Sequence, residues 1–242
     1  MSIYKKIRER IIKEQRMPTY LSFFINSNFF VRRELFRAIK RNLHYMKGET
    51  LDFGCGIKPY KNLFINADSI TGVDIENEGH TNDVSEVDVF YDGNTLPFDN
   101  ERFDSIFSSE VLTHIHDLEP VIKELYRVLK KNGKILLTVP FVWHENEAPN
   151  DAIRFTSFGI AEMLKRHGFS IIKSKKCGHY LKTVFQMWNA YLFQAVFPNV
   201  TIIKIMLTFL IIFPMHILES ILLLILPKNK ELFNNIIVIA EK

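Results

Sequence analysis

Cysteine is scarce in this chain. Its 242 residues contain two, Cys55 and Cys177, far apart and without metal-ligand spacing. No disulfide framework, zinc site or other metal is expected, and a reducing compartment is implied. Net charge is small, with 31 Lys and Arg against 27 Asp and Glu. Repeats and low-complexity tracts are absent. The opening MSIYKKIRERIIKEQR interleaves charge with apolar residues too often for a secretory leader. With 47% apolar and 24% charged residues the composition argues against disorder. The length suits one α/β domain with additions rather than two full domains.

The small net charge hides an asymmetry. Residues 1–47 hold twelve Lys and Arg against three acids, so the remainder is acidic. A basic arm suits an anionic surface such as a membrane or nucleic acid; a solvated helix face is the plainer alternative. Ile3, Tyr4, Ile7, Ile11 and Ile12 recur at helical spacing opposite Lys5, Lys6, Arg8, Arg10 and Lys13. A second helix is predicted over 31–46.

From Glu49 the pattern changes to short apolar strands separated by turns and helices. Strands are predicted at 50–53, 69–74, 87–91, 103–108, 134–139, 169–173 and 235–240. Leu118, Val121, Ile122, Leu125, Val128 and Leu129 stripe a helix over 118–130, ended by Asn132 and Gly133. Thr156 caps a further helix over 157–167. Strands alternating with helices predict an α/β, doubly wound, mostly parallel sheet of the Rossmann-like kind. The expected organisation is a basic helical extension (1–47), a core (48–178 with 232–242) and a hydrophobic helical insert (179–231).

The cofactor signal begins at LDFGCG. Asp52 ends a strand, and Gly54, Cys55 and Gly56 form a turn where a Cβ would obstruct a ligand. Alone, such a turn is weak evidence. Asp74, with Ile75 after it, ends the second strand, where an acid can take two ribose hydroxyls. Asp92 and Gly93 follow the third, at the right place for an adenine amino group, and Ser109 follows the fourth. Each acid has a plain alternative as a turn or cap residue. A nicotinamide-binding reading wants a third glycine where Pro59 stands.

LDFGCG, GVDI, DGNTLPFDNERFDSIFSSEVLTHI and ELYRVLKKNGKILLTVPF resemble successive motifs of class I S-adenosylmethionine-dependent methyltransferases. The resemblance is to the branch that includes ubiquinone and menaquinone methyltransferases. It implies S-adenosyl-L-methionine as cofactor, held by Asp52, Gly54, Cys55, Gly56, Asp74, Ile75, Asp92, Gly93 and Ser109. It also implies an antiparallel last strand.

Methyl transfer to a hydroxyl needs alignment and a base. His114 and His144 are the candidate catalytic residues, because an unperturbed imidazole titrates near neutrality. His144, Pro149, Asp151, Arg154, Phe155 and Thr156 resemble a subgroup pattern of methyltransferases found with polysaccharide-assembly genes. That resemblance implies substrate binding by Asp151 and Arg154. The plain alternative is an ion pair at i,i+3 that shapes a loop.

The stretch Ile202–Leu226 is long enough to span a bilayer, but Lys204, Pro214, His216 and Glu219 make it a poor spanner. A single span would also strand the last β-strand across the membrane from its sheet. The remaining readings are an interfacial or re-entrant helix pair and a soluble lid or dimer face. With the basic N-terminus, the expectation is peripheral contact of 1–16 and 202–226 with the cytoplasmic membrane face. The expected activity is O-methylation of a glycan or lipid-linked acceptor, with two alternatives. One is C-methylation of an isoprenoid quinone, the other a membrane-attached scaffold without turnover. Nucleic acid is not an expected partner, because no base-flipping motif follows the fourth strand.

Overall fold

A computed structural model describes residues 17–76, 86–146 and 148–242. The amphipathic segment expected within 1–16 lies outside them. The described chain forms two compact units: Ile39–Lys175 with Asn235–Lys242, and residues 17–38 with Lys176–Asn234.

In chain order the elements begin with α1 (Ser22–Ile25), α2 (Phe29–Asn42), β1 (Gly48–Phe53), β2 (Ala67–Ile75) and β3 (Val89–Tyr91). Next come β4 (Phe103–Ser109), α3 (Leu118–Val128), β5 (Leu129–Pro140), α4 (Ser157–Arg166) and β6 (Ser170–Cys177). The chain closes with α5 (Tyr180–Tyr191), α6 (Thr201–Leu207), α7 (Phe213–Ile225) and β7 (Asn235–Glu241).

The strands form one seven-stranded sheet in the order β3-β2-β1-β4-β5-β7-β6. The pairs from β3 through β5 are parallel, and β7 runs antiparallel to β5, with Leu137 opposite Val238. This is the predicted doubly wound sheet with its reversed last strand. Leu51, Val73, Ile106, Leu136 and Ile239 are fully buried, as strands covered on both faces require. Helix α3 buries the stripe Leu118, Val121, Ile122, Leu125 and Val128, and the Asp117 side chain caps it by accepting from the Glu119 amide. Thr156 Oγ1 caps α4 by accepting from the Gly159 amide at 3.0 Å.

Several boundaries differ from the sequence reading: α2 ends at Asn42 rather than Met46, and β6 runs on to Cys177. Helix α3 stops at Val128 because Leu129 pairs with Phe103 and starts β5. Strand β3 is short because Asp88 engages Gly72 through both backbone and carboxylate. The order of strands reverses between β1 and β4, and the crevice at their carboxyl ends is the ligand-binding position of such sheets.

In the helical unit, Phe23 of α1 is the hub of an aromatic cluster. Its ring lies 5.1 Å from Phe29, 5.7 Å from Phe213 and 5.5 Å from His216. A π-helical turn, Thr208–Ile212, joins α6 to α7, making one continuous helix, Thr201–Ile225. By length and composition it is long and apolar enough to cross a membrane.

Candidate active site

The turn after β1 is built on conformations and clearances that only glycine allows. Gly54 has φ +69°, and a Cβ there would lie 2.3 Å from Val111 Cγ2. Its amide and that of Cys55 both donate to the Val73 carbonyl, at 2.9 and 3.2 Å. The next amide, Gly56, donates to Asp74 Oδ2 at 2.8 Å, while Asp74 Oδ1 accepts from Ile75 at 2.9 Å. The acid that ends β2 therefore fixes the turn that follows β1. Asp52, Gly54, Cys55, Gly56, Asp74 and Ile75 come together at two neighbouring strand ends.

A buried lysine sits beneath this turn. Lys58 is 5% exposed and pairs with Asp88. Asp88 also accepts from the Gly72 amide at 2.7 Å. A Cβ on Gly72 would lie 2.1 Å from Lys58 Cε, so that glycine makes room for the lysine stem. Burial disfavours the charge on Asp88, but the Gly72 and Lys58 hydrogen bonds outweigh it and hold its carboxyl below the usual range. Asp52, 4% exposed, is pushed up to about 7 by burial; Lys58 opposes the rise while Asp74 and Asp88 add to it. The same burial, with Asp52 and Asp74 nearby, drives the Cys55 thiol far above its ordinary value. Cys55 is accordingly a neutral thiol and not a nucleophile.

Asp92 and Gly93 follow β3. Asp92 Oδ1 accepts from the Asn94 and Thr95 amides at 2.8 and 2.9 Å, which holds its carboxyl below the usual range. Asp92 thus organises its own turn. Gly93 faces Ile75: a Cβ there would lie 3.8 Å from Ile75 Cγ2. Ile75 is 41% exposed, an apolar side chain open at a strand end beside a residue with none. Tyr91, at the end of β3, packs 5.9 Å from Phe53, its hydroxyl pushed up by burial and by Asp74 and Asp92. Ser109, at the end of β4, lies 3.0 Å from Thr138 Oγ1, which in turn donates to Glu110. Glu110 has φ +64° and also accepts from Asn235 at 2.7 Å.

The segment from His144 to Arg154 folds onto the turn after β4. Ala152 and Ile153 donate to the Thr113 carbonyl at 2.8 and 3.3 Å. Arg154 pairs with Asp151 through two hydrogen bonds and donates to the His144 carbonyl at 3.2 Å. Asp151 also accepts from the Asn146 amide at 2.7 Å. Burial opposes charge on Asp151, but Arg154, Asn146 and nearby His114 outweigh it and lower its carboxyl. The ion pair therefore shapes the loop that carries His144. His114 ends the short 3-10 turn Leu112–His114, and the His144 ring lies 4.9 Å from Trp143.

Two features escaped the sequence reading: Lys58 and its partner Asp88. The signal for Lys58 was available, because Asp52, Asp74 and Asp88 need a counter-charge and GIKPYKN supplies one nearby.

The residues fit S-adenosylmethionine on three counts. The glycine turn keeps Cβ atoms out of the crevice. Carboxylates outnumber the buried cation around it, which suits a ligand bearing a sulfonium. Ile75 presents an exposed apolar side chain beside the side-chain-free Gly93, against which a flat base can pack.

Comparison with known proteins agrees. Residues 51–137 match the methyltransferase domain family. An uncharacterized protein of Methanocaldococcus jannaschii is 28% identical over 164 residues, covering 62% of this chain and 78% of that protein. Demethylmenaquinone methyltransferase of Streptomyces griseus is 44% identical over 46 residues, covering 19% of this chain and 20% of that one. The crystal structure of an S-adenosylmethionine-dependent methyltransferase from Mesorhizobium loti superposes with a TM-score of 0.55 at 14% identity, covering 86% of this chain and 98% of that one. Residues 51–137 thus carry a methyltransferase domain, set in a Rossmann-like fold shared with solved methyltransferases. The chain is an enzyme carrying that domain, with S-adenosylmethionine as its cofactor.

Proposed function

We propose that the enzyme transfers the methyl group to a hydroxyl of a glycan or lipid-linked acceptor at the cytoplasmic face of a membrane. The observation that carries the reading is the His144–Arg154 loop. The Asp151–Arg154 pair and the Thr113 carbonyl tie it to the turn bearing His114, so both histidines belong to one piece beside the strand ends. When bound, the cofactor supplies a methyl group activated by a sulfonium. The chain's task is to hold the acceptor oxygen in line with that methyl and to take its proton. His144 is the proposed base: the oxygen–carbon bond forms as the sulfur–carbon bond breaks, and the hydroxyl proton passes to an imidazole nitrogen. His114 is the second candidate base. Asp151 and Arg154 contribute by holding the loop against which the acceptor binds. Asp52, Gly54, Cys55, Gly56, Asp74, Ile75, Asp92, Gly93 and Ser109 are the proposed cofactor contacts.

Methyl transfer from labelled cofactor to a polyprenyl-linked glycan fraction tests the reading. His144→Ala should lower turnover roughly a hundredfold or more while leaving cofactor affinity unchanged. Unchanged turnover in that variant removes His144 from the role. The similarity to demethylmenaquinone methyltransferase favours a second reading, C-methylation of an isoprenoid quinone. Labelling of demethylated menaquinone and not of the glycan fraction would establish that one instead.

A further inference from the structure

In the helical unit, α5 and α7 are mostly polar on their buried faces and apolar on their exposed ones. In α5 the buried residues are Thr183, Gln186, Asn189 and Ala190, while Val184, Met187, Trp188 and Tyr191 are exposed. In α7 the buried residues are His216 and Glu219, each 1% exposed, while Ile217, Leu218, Ile221 and Leu224 are open. Two helices thus carry the same inversion independently. The polar side chains join the pieces of the unit to one another. Gln186 donates to Asn28 at 2.8 Å, Lys182 pairs with Glu34 at 2.8 Å, and a His216 ring nitrogen meets the Phe23 carbonyl at 2.9 Å. Small and polar residues at helix contacts, with aliphatic residues turned outward, is how helices associate when their solvent is hydrocarbon.

The apolar surface is also too wide for a single docking face. Phe209, Leu210 and Ile211 are consecutive and all exposed, as are Leu224, Ile225 and Leu226. Consecutive residues of an α-helix stand about 100° apart and those of a π-turn somewhat less, so the first triplet alone spans well over 100° of arc. A second protein seated on one side would leave much of that arc in water. A lipid phase covers all of it.

Charge points to the same occupant. Residues 17–38 and 176–234 contain eight Lys and Arg against three Asp and Glu, and one of those acids is the buried Glu219. Lys204, within the long helix, lies over the Phe193 ring at 4.9 Å. Basic residues flanking an apolar surface suit a bilayer with anionic headgroups.

We propose that α5, α6 and α7 bury their outward apolar side chains in one leaflet of an anionic bilayer, the helices lying in its plane rather than crossing it. Connectivity argues for insertion without crossing. The insert leaves the sheet at β6 and returns at β7, neighbouring strands, so both its ends stay on one side. The inference deepens the membrane-face reading above and needs no particular acceptor.

Trp188 is exposed on α5 and is one of only two tryptophans, so the full-length Trp143→Phe protein reports from this surface alone. Mixed with phosphatidylglycerol–phosphatidylcholine vesicles carrying brominated acyl chains, it should sediment with them and lose Trp188 fluorescence. Phosphatidylcholine vesicles alone should capture less. Ile205→Asp and Ile221→Asp should each weaken partition roughly tenfold or more, with cofactor binding as the control for folding. Three outcomes overturn the proposal. One is absence of vesicle binding by protein that still binds cofactor. Another is vesicle binding without quenching, and the third a detergent-free dimer that the same two substitutions dissociate. Vesicle binding without methyl transfer to any lipid-linked acceptor would count against the acceptor and leave the insertion standing.

Discussion

The two units of this chain place their apolar side chains in different ways. The sheet unit buries aliphatic strands and turns its charges outward; residues 39–175 and 235–242 carry 17 Lys and Arg against 22 Asp and Glu. In the helical unit α5 and α7 turn their aliphatic residues outward and join their neighbours through amides, hydroxyls and an ion pair. Its described segments, 17–38 and 176–234, carry eight Lys and Arg against three acids. Water drives the first arrangement, because removing apolar surface from it is the main stabilising term. Hydrocarbon allows the second, because burying aliphatic groups gains nothing there while leaving polar groups unpaired is costly.

Core truncation breaks the comparison most sharply. Leu125→Ala, in the fully buried stripe of α3, should destabilise the protein by about 2–5 kcal/mol in urea unfolding. Ile221→Ala, exposed on α7, should change stability by less than about 0.5 kcal/mol. Equal losses at the two sites would erase the distinction.

The glycine turn comes next. Gly54→Ala forces a side chain into a left-handed conformation against Val111. Cofactor affinity in calorimetry should fall roughly tenfold or more, since the conformation alone costs about 1–2 kcal/mol. Unchanged affinity would mean the turn is not the cofactor's cradle.

The third effect is on pH dependence. Burial raises the Asp52 carboxyl from its ordinary 3.8 to about 7. The folded state therefore keeps its proton where the unfolded chain has lost one. The stability this confers is complete below about pH 4 and gone once pH has risen through about 7. Asp52→Asn should flatten that part of the profile, and an identical slope in the variant would remove Asp52 as its source. The smallest effect is Thr156→Ala, which removes the α4 cap and should cost about 1 kcal/mol in thermal unfolding.

Most of the sheet unit was legible because its signals are local. Strand ends announce themselves by Asp and Gly after apolar runs, and α3 by its stripe. The cofactor turn was readable for the same reason. What sequence left hidden depends on pairing across the fold. Lys58 looks like a surface lysine until Asp88 and the clearance over Gly72 enclose it. Spacing does not show that Asp92 also organises its own turn, through the Asn94 and Thr95 amides on one of its oxygens. Asp151 and Arg154 could bind substrate or each other, and spacing alone does not choose; in the fold they bind each other. The inverted helices were hidden for a different reason. In 180–191 and 201–226 apolar residues occur all around the axis, so no stripe shows which face is inside, and only the few polar positions mark it.

Calorimetric titration of S-adenosylmethionine into the wild type and Asp74→Ala tests the central claim most directly. Asp74 fixes the Gly56 amide and ends β2 beside the crevice. The account predicts micromolar binding by the wild type, about −8 kcal/mol, and its loss in the variant. A folded wild type that binds neither S-adenosylmethionine nor S-adenosylhomocysteine, in detergent or with lipid, would contradict it.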